Sequence, residues 1–472
     1  MAGGLLELVA HGVQDIFLIG NPQISFFKVV YKRHTNFSME SILATFDGDI
    51  NFGNKISAKI PRSGDLAYSM VLEVDLPLLE STRSGLTGGG TISYVNNIGH
   101  ALIDYVEIEI GGNVIDKQYG EWMEIWTQLS LDESMKFGYQ EMLQRYDTFQ
   151  TTSGPQTVFI PLQFWFCRNI GLALPLVALQ YHEVKVNIKF RPLSKLFTFG
   201  SNNYYTGSKS GTTVTITSNN PEFASSDNGK KIYWSDGTSD TISSYSSSNE
   251  VEVSSSGTKT SQEFYIAPND TISGSPTISD ARLFVDYIFL DTYERKQFAQ
   301  MKHRYLIEQV QFNETESFNE NETNKKFGLD FNLPVKSMYW VTQLERISRN
   351  NDLFNFSNTV DPNVTKGDTL SKAVLLLNGT ERFDERDAKY FRLIQPFQKH
   401  RRVPNDFIYM YSFSLKPENH QPSGACNFSK IDSADLNLTF NSGTKAGNIR
   451  VYALSYNILR IFSGMGNVAF SN

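Results

Sequence analysis

The fold of this chain is indicated by a pattern that occurs twice: EIEIGGNVIDKQ at residues 107–118 and VLLLNGTERFDER at residues 374–386. Each copy contains an apolar strand, a Gly-containing turn, a short second strand and an Asp. Gly-Gly and Asn-Gly pairs between strand-like runs are typical of tight β-hairpins, because both central residues of such turns take positive φ angles. The two segments therefore predict two similar hairpins, roughly 250 to 270 residues apart.

The order of the flanking segments is also repeated. A strand-like run precedes each hairpin, and two more follow it, at 65–72, 161–166 and 184–190 in the first half and at 334–340, 409–415 and 436–440 in the second. A fixed order of β-elements that occurs twice predicts two copies of one β-domain. Chance similarity between unrelated hairpins is the alternative that such short segments leave open.

Period-2 alternation of apolar and polar residues dominates wherever the sequence is regular, as half-buried antiparallel strands require. Residues 106–110 and 184–190 are examples. Helical periodicity is confined to residues 120–131, 135–143 and 294–301. The sequence therefore predicts an all-β architecture with short helices inserted in loops.

The composition excludes several classes of protein. The chain has 472 residues, 40% of them hydrophobic, and can bury a large core. Its net charge of −7 argues against a protein that mainly neutralises phosphates along nucleic acid. Its two cysteines, Cys167 and Cys426, exclude a disulfide framework and fit a reducing compartment. We expect neither a signal peptide nor a membrane-spanning segment, but a soluble chain made in the cytosol.

Residues 201–280 differ from the rest, because Ser, Thr, Asn and Gly supply more than half of their positions. Strand-like runs nevertheless occur there, at 212–217, 231–234, 250–253 and 264–266. They predict a small β-rich insertion on a surface loop, with a core supplied by Tyr233, Trp234, Phe264 and Tyr265. A disordered Ser-rich linker is the alternative.

Few residues are arranged for catalysis, and no catalytic, cofactor-binding or metal-binding residue is assigned. The seven histidines are scattered without the spacing of a metal site. Cys167 and His182 could form a nucleophile and its base, but an aromatic run surrounds Cys167, where a small buried Cys is commoner. Asp384, Glu385 and Asp387 could serve acid–base chemistry, but neighbouring Arg and Lys residues favour a solvated, ion-paired turn.

A glycine motif and three basic clusters could suggest nucleotide or nucleic-acid binding, but the sequence does not favour either function. The segment GMGNVA at residues 464–469 matches a dinucleotide fingerprint, but it leaves no room for the helix and second strand that such a site needs. Basic clusters at 32–34, 302–304 and 399–402 are isolated in an acidic chain. They favour solvated or subunit-facing patches over a sequence-specific nucleic-acid site.

Several longer segments resemble those of one known family. They are AGGL (2–5), GNPQISFFK (20–28), YKRHTNF (31–37), GLALPLVALQYHEV (171–184), VDYIFLDT (285–292), HQPSGACNFS (420–429) and SGMG (463–466). In their order they look like the signature segments of the major capsid proteins of nucleocytoplasmic large DNA viruses, especially those of algal viruses. The resemblance spans the chain apart from the insertion, which is longer than the corresponding stretch in compact members.

The resemblance implies a tandem double jelly roll of two eight-stranded β-sandwiches. The expected domains are an N-terminal arm (1–26), a first jelly roll (27–292) that carries the insertion (201–280), a short helical linker (293–302) and a second jelly roll (303–472). The implied function is structural: homotrimers form pseudo-hexameric capsomers that tile the icosahedral shell of the virion, assembled in the host cytoplasm. Minor capsid proteins, and inner viral membrane proteins, are the implied partners at the shell interior.

A jelly-roll carbohydrate-binding protein or glycosidase is the alternative from another class. It would need convergent carboxylates, aromatic sugar platforms or a metal site. We expect the apolar N-terminal arm to face the shell interior, because its residues Leu5, Leu6, Leu8, Val9, Ile16, Phe17, Leu18 and Ile19 exceed what a free tail should expose. We expect residues 201–280 to lie on the outer surface, available to the host cell or to solvent.

Overall fold

The computed structural model describes residues 3–23, 31–80, 92–145, 154–199, 204–217, 223–234, 238–267, 272–349, 351–359 and 365–470. Its α-helices are α1 (Gly3–Val9), α2 (Ile16–Ile19), α3 (Ile98–Leu102), α4 (Gly120–Ser130), α5 (Lys136–Leu143), α6 (Trp165–Arg168), α7 (Thr292–Gln300), α8 (Glu345–Arg349) and α9 (Gln395–Lys399). A π-helical turn, Tyr390–Ile394, leads directly into α9. The three predicted helices correspond to α4, α5 and α7.

The first half of the chain forms a sandwich of two antiparallel sheets. Its strands are β1 (Phe37–Ala44), β2 (Phe46–Asp47), β3 (Lys55–Lys59), β4 (Leu66–Leu76), β5 (Ile92–Tyr94), β6 (Ile103–Ile110), β7 (Asn113–Tyr119), β8 (Gln156–Pro161), β9 (Leu174–Pro175), β10 (Val184–Phe190), β11 (Phe197–Phe199), β12 (Tyr204–Ile216), β13 (Lys231–Trp234), β14 (Ser239–Ser247), β15 (Glu250–Ala267) and β16 (Asp280–Leu290). One sheet has the order β1-β16-β4-β8 and the other β2-β3-β10-β6-β7. Alternate residues of both sheets, such as Leu72, Val106, Val186 and Leu283, fill the core between them.

The second half repeats this arrangement. Its strands are β17 (His303–Phe312), β18 (Glu316–Phe318), β19 (Asn324–Gly328), β20 (Pro334–Leu344), β21 (Leu370–Leu377), β22 (Thr380–Glu381), β23 (Arg386–Asp387), β24 (Tyr409–Ser412), β25 (Cys426–Asn427), β26 (Ala434–Phe440), β27 (Gly447–Phe462) and β28 (Met465–Val468). The sheets have the orders β17-β27-β20-β24 and β19-β26-β21-β22. Each strand order therefore has a counterpart in the first half, and the predicted double jelly roll is confirmed.

The two hairpins that suggested the duplication occupy equivalent places, at the β6–β7 edge of one sandwich and the β21–β22 edge of the other. In each, two residues with positive φ form the turn: Gly111 (58°) and Gly112 (87°), and Asn378 (50°) and Gly379 (75°). Such angles are those of a type I′ turn, whose twist matches that of the flanking strands. The Gly-Gly and Asn-Gly pairs therefore form the same type of turn in both sandwiches.

The insertion is a four-stranded sheet of order β12-β15-β13-β14 between β10 and β16. This organisation contradicts the disordered-linker alternative for the described part of the segment. Trp234 and Phe264 are buried in its own apolar core, as predicted, together with Val214, Ile232 and Val251. Tyr233 is only half-buried, and the side chain of Tyr265 lies outside the described residues.

Two sequence predictions of strands need correction, and one strand was not predicted. Residues 161–166 do not form a strand, because β8 ends at Pro161 and α6 begins at Trp165. The strand that was not predicted is β14 (Ser239–Ser247), a Ser-rich segment that pairs with β15. The runs at 250–253 and 264–266 belong to one long strand, β15.

Candidate assembly surfaces

Helix α4 fills the space between the two sandwiches. Met123 packs into the core of the first sandwich. Trp122, Ile125, Trp126 and Leu129 instead pack on the outer face of the sheet β17-β27-β20-β24, against side chains that include Val310, Tyr339, Val341, Met410, Tyr452 and Leu454. Their i, i+3, i+4, i+7 spacing places these four residues on one face of the helix. We call this contact the α4 junction.

Charged groups surround the α4 junction. Arg450 Nη2 lies 2.9 Å from Glu121 Oε2, and the Tyr452 hydroxyl donates a hydrogen bond of 3.0 Å to Glu121 Oε1. Arg168 of the first sandwich pairs with Glu308 of the second at 3.0 Å. Each of these contacts joins one sandwich to the other, so the apolar contact has a defined orientation as well as a large buried surface.

A buried polar network extends the junction at its side. Glu124 Oε2 accepts hydrogen bonds from Asn97 Nδ2 at 2.5 Å and from His100 Nδ1 at 2.9 Å. Arg145 pairs with Glu124 and reaches Asp406 of the second sandwich at 3.1 Å. Burial, together with the positive charge of Arg145, lowers the pKa of His100 to about 3. The imidazole is therefore neutral at physiological pH.

Acidification is expected to destabilise the protein through His100. Its unfolded-state pKa of 6.5 lies above the folded value of about 3, so between these values the unfolded chain binds the extra proton and stability falls as the pH falls. At pH 5 the expected loss is ~2 kcal/mol relative to neutral pH. Urea unfolding at several pH values, with His100→Gln as the comparison, measures it.

The buried Asp116 makes stability depend on pH in the opposite direction. Burial raises its pKa to about 6, so stability from this group falls as the pH rises from its ordinary value of 3.8 towards 6. The total pH dependence therefore contains both effects, and only the difference between wild type and His100→Gln isolates the histidine. An equal pH dependence of the two proteins would contradict the assignment.

A polar cleft of about 340 Å³ lies beside this network and is lined by helices and loops of both sandwiches. Charged groups of its wall pair with one another, as Arg145 does with Glu124 and Asp406. Arg402, in one of the predicted basic patches, pairs with Glu133 of the other sandwich at 2.9 Å. We interpret the cleft as a solvated seam between the sandwiches.

The N-terminal arm, described over residues 3–23, presents an apolar surface to solvent. Its short helices α1 and α2, and the turn between them, contribute side chains that are 57% to 83% exposed: Leu5, Leu6, Leu8, Val9, Val13, Ile16, Leu18 and Ile19. The side chain of Phe17, also in the predicted set, lies outside the described residues. Contiguous exposed apolar residues of this kind mark a surface that contacts another molecule.

The residues considered for catalysis have structural partners. The Cys167 thiol donates to the carbonyl oxygen of Tyr68 at 3.5 Å, and burial raises its pKa to about 12. His182 Nδ1 lies 3.0 Å from the carbonyl oxygen of Gly466. Neither feature is that of an activated thiolate and its base. The expectation that the chain has no catalytic site stays a prediction.

The acidic turn is ion-paired, although not with its neighbours in sequence. Glu385 Oε2 lies 3.0 Å from Lys372 Nζ on the adjacent strand. The glycine motif near residue 464 is a hairpin turn between β27 and β28, in which Ser463 and Gly464 have φ angles of 52° and 78°. It therefore has a structural role in the edge of the sheet.

Within the described residues, no group of three or more His, Cys, Asp or Glu side chains is placed to hold a metal ion. In the same part of the chain, no helix combines the length and the apolar character needed to cross a membrane. The surfaces that stand out are therefore those of packing: the α4 junction, the N-terminal arm and the insertion.

Sequence reasoning found the arm and the insertion but missed the α4 junction. The residues Trp122, Ile125, Trp126 and Leu129 were recognised as helical, and their spacing indicates one apolar face. A spacing alone does not identify the surface that covers such a face. The sequence therefore indicates the apolar face of α4, but it does not show that the second sandwich covers this face.

Comparisons with known proteins cover both sandwiches. A family model described as "Major capsid protein N-terminus" matches residues 25–291, and one described as "Large eukaryotic DNA virus major capsid protein" matches residues 294–467. The chain is 38% identical to the major capsid protein of Pyramimonas orientalis virus and 35% identical to that of Phaeocystis pouchetii virus, with 100% of both chains covered in each comparison. It also matches the crystal structure of PBCV-1 VP54, at 30% identity and a TM-score of 0.70, over 95% of this chain and 100% of that chain.

Proposed function

Because the chain belongs to the family of major capsid proteins of large eukaryotic DNA viruses, we propose that it builds the virion shell as a homotrimer with six lobes. The chain is accordingly a structural protein that associates with copies of itself. The α4 junction is the observation that supports this arrangement best. It joins two sandwiches of equivalent topology into one unit, so that three chains would supply six similar lobes around one axis.

Light scattering of the purified full-length chain tests this proposal. A stable mass of three chains, with six-lobed particles in electron micrographs, is the expected result. A monomer at micromolar concentration would contradict it and would favour a jelly-roll protein of another class, such as a carbohydrate-binding protein.

The domain boundaries follow from the same proposal. We assign residues 1–26 to the arm, 27–292 to the first jelly roll, 293–302 to a helical linker and 303–472 to the second jelly roll. Helix α7 (Thr292–Gln300) supports the position of the linker, since it stands between the last strand of one sandwich and the first of the other. Shell assembly in the host cytoplasm, with minor capsid and inner membrane proteins beneath the shell, completes the proposal.

The insertion, residues 201–280, is proposed to decorate the outer surface of the capsomer, where it could contact the host cell. Its own apolar core supports this role, because a sheet with an independent core needs little cover from neighbours. A loop insertion of this size also meets least steric conflict at an outward tip.

Limited proteolysis of intact particles is expected to cleave within residues 201–280 without loss of the shell. Exposed polar loop tips are preferred sites of cleavage. Free trimers serve as the control, and they should be cleaved in the same segment. Protection in particles but not in free trimers would instead indicate a lateral clamp between capsomers.

A further inference from the structure

The polar cleft between the sandwiches lies at the end of the first sandwich that carries the insertion. Strand β10, which precedes the insertion, ends at Phe190, and Phe190 pairs with Ile103 at the start of β6. Helix α3 comes directly before β6, and Asn97, which lines the cleft, precedes α3. The cleft and the base of the insertion therefore share one end of the molecule.

Side-chain amides dominate the lining of the cleft. Six of its fourteen lining residues carry an amide: Asn96, Asn97, Gln128, Gln140, Asn355 and Asn405. The charged lining residues are four basic and three acidic, so their charges nearly cancel. Phe354, which is half-buried, adds an aromatic ring to the wall. The cleft thus offers both hydrogen-bond donors and acceptors without a strong net charge.

One buried acceptor in this lining lacks a partner. Asn97 is 2% exposed, and its Oδ1 accepts no hydrogen bond from the described residues. The orientation of this amide is fixed, because its Nδ2 donates to Glu124 Oε2 and an ionised carboxylate only accepts. A buried acceptor without a partner is unfavourable, so Asn97 Oδ1 favours a ligand that donates a hydrogen bond.

The acidic groups of the cleft already have partners. Both oxygens of Glu124 accept hydrogen bonds, Oε1 from Gln128 Nε2 at 2.8 Å and Oε2 from His100 and Asn97. Arg145 pairs with Glu124 and with Asp406. These carboxylates therefore stabilise the wall, and neither has the free geometry of a general acid or base.

These features select a neutral, polyhydroxylated ligand. An anion would bring no donor to Asn97 Oδ1, and a cation would be repelled by the guanidinium of Arg145 nearby. Hydroxyl groups both donate and accept, as an amide-rich lining requires. The cleft volume of about 340 Å³ lies in the range of small-molecule pockets, and Phe354 can pack against the C–H face of a sugar ring.

We propose that the polar cleft binds a neutral carbohydrate, with Asn97 Oδ1 accepting a hydrogen bond from a sugar hydroxyl. The ligand is bound and not hydrolysed, because Glu124 and Asp406 are held by Arg145. A role in contact with host-cell glycans rests on the proposed outward position of the insertion, which shares this end of the molecule. The carbohydrate site itself does not depend on that position.

Asn405→Trp tests the proposal, with Asn319→Trp as the matched control. Both asparagines are exposed, but Asn405 lines the cleft, whereas Asn319 follows β18 and is not a lining residue. The probes are neutral methyl glycosides of glucose, galactose, mannose and xylose, titrated into the purified full-length chain and followed by saturation-transfer NMR. We expect the wild type to bind at least one of them with a dissociation constant on the order of 1 mM.

The indole of Asn405→Trp occupies the cleft, so this variant should raise that dissociation constant at least about tenfold. Asn319→Trp should change it by less than about twofold, because the site is remote. Monodeoxy analogues of the bound glycoside test the role of Asn97 without altering the protein. Loss of the hydroxyl that donates to Asn97 Oδ1 should weaken binding about tenfold.

Circular dichroism and thermal unfolding show whether each variant is folded, and light scattering of the same samples reports the oligomeric state. A monomeric wild type that binds a glycoside would refute the homotrimer but not the carbohydrate site. If no neutral glycoside binds, or if folded Asn405→Trp binds as well as Asn319→Trp, the carbohydrate site is wrong. Binding to free chains but not to intact particles would support the site and contradict the outward position of this end.

Discussion

Replacing Trp122 by alanine is expected to destabilise the protein by about 3–5 kcal/mol, the usual range for removing a large aromatic side chain from a packed site. Trp122 is fully buried, and its ring centroid lies 5.3 Å from that of Tyr339 and 5.7 Å from that of Tyr452. Both tyrosines belong to the second sandwich. The cavity would therefore open between the sandwiches, where neither can close it alone. Calorimetry should show a lower midpoint and a broader transition, because the two sandwiches would unfold less cooperatively.

Two comparison variants separate this effect from a general loss of aromatic surface. Phe137→Ala removes an exposed ring and should change stability by no more than about 0.5 kcal/mol. Trp122→Phe keeps most of the apolar volume and should cost less than Trp122→Ala. A loss below about 1 kcal/mol for Trp122→Ala would show that the α4 junction contributes little to the connection between the sandwiches.

The sequence predicted those parts of the fold in which the local pattern determines the structure. The Gly111–Gly112 and Asn378–Gly379 turns require positive φ angles. Because Gly and Asn adopt such angles most readily, these residue types predict the two hairpins. Strand β10 was found because apolar and polar residues alternate in its sequence, VKVNIKF, and its apolar residues are buried in the core. Both signals are local, and neither depends on knowing what lies on the opposite side of a sheet.

The errors arose where distant parts of the chain decide the structure. Strand β14 has few apolar residues, and most of its side chains beyond Ile242 are exposed. It is a strand because its backbone pairs with that of β15. Such pairing does not require an apolar side-chain pattern, so the sequence of β14 does not reveal it. The aromatic run after Pro161 was assigned to a strand because it is apolar, but Trp165 and Phe166 are buried consecutively at the start of α6, without the alternation of a strand.

Assembly surfaces were only partly predictable for a related reason. The apolar character of the N-terminal arm was recognised from its sequence, and its role in shell assembly stays a prediction. In sequence, the segment Tyr390–Lys399 and helix α4 both look like ordinary amphipathic helices. Only the structure shows that the apolar face of α4 is covered within the chain, whereas Leu393, Ile394 and Phe397 are exposed.

Deletion of residues 1–20 is expected to leave the trimer intact and to impair shell assembly. The described arm contributes no side chain to the cores of the two sandwiches, and α1 has no buried residue, so the folded unit should not depend on it. Full burial of a single leucine contributes about 1.5–3 kcal/mol. Losing several such residues should therefore lower the yield of closed particles by at least about tenfold.

A length-preserving variant shows whether the apolar surface or the mere presence of the arm matters. Leu5, Leu6 and Leu8, all exposed, would be replaced by serine in the full-length chain. This variant should reproduce the assembly defect of the deletion while light scattering still reports a trimer, because serine keeps the chain length but removes the apolar contact area. Particle yield is measured by sedimentation and electron microscopy after co-expression with the other shell proteins. Closed particles in normal yield from both variants would show that the arm is dispensable for the shell. A loss of trimers would instead place the arm within the capsomer, since the contact that fails would then be one between the three chains themselves.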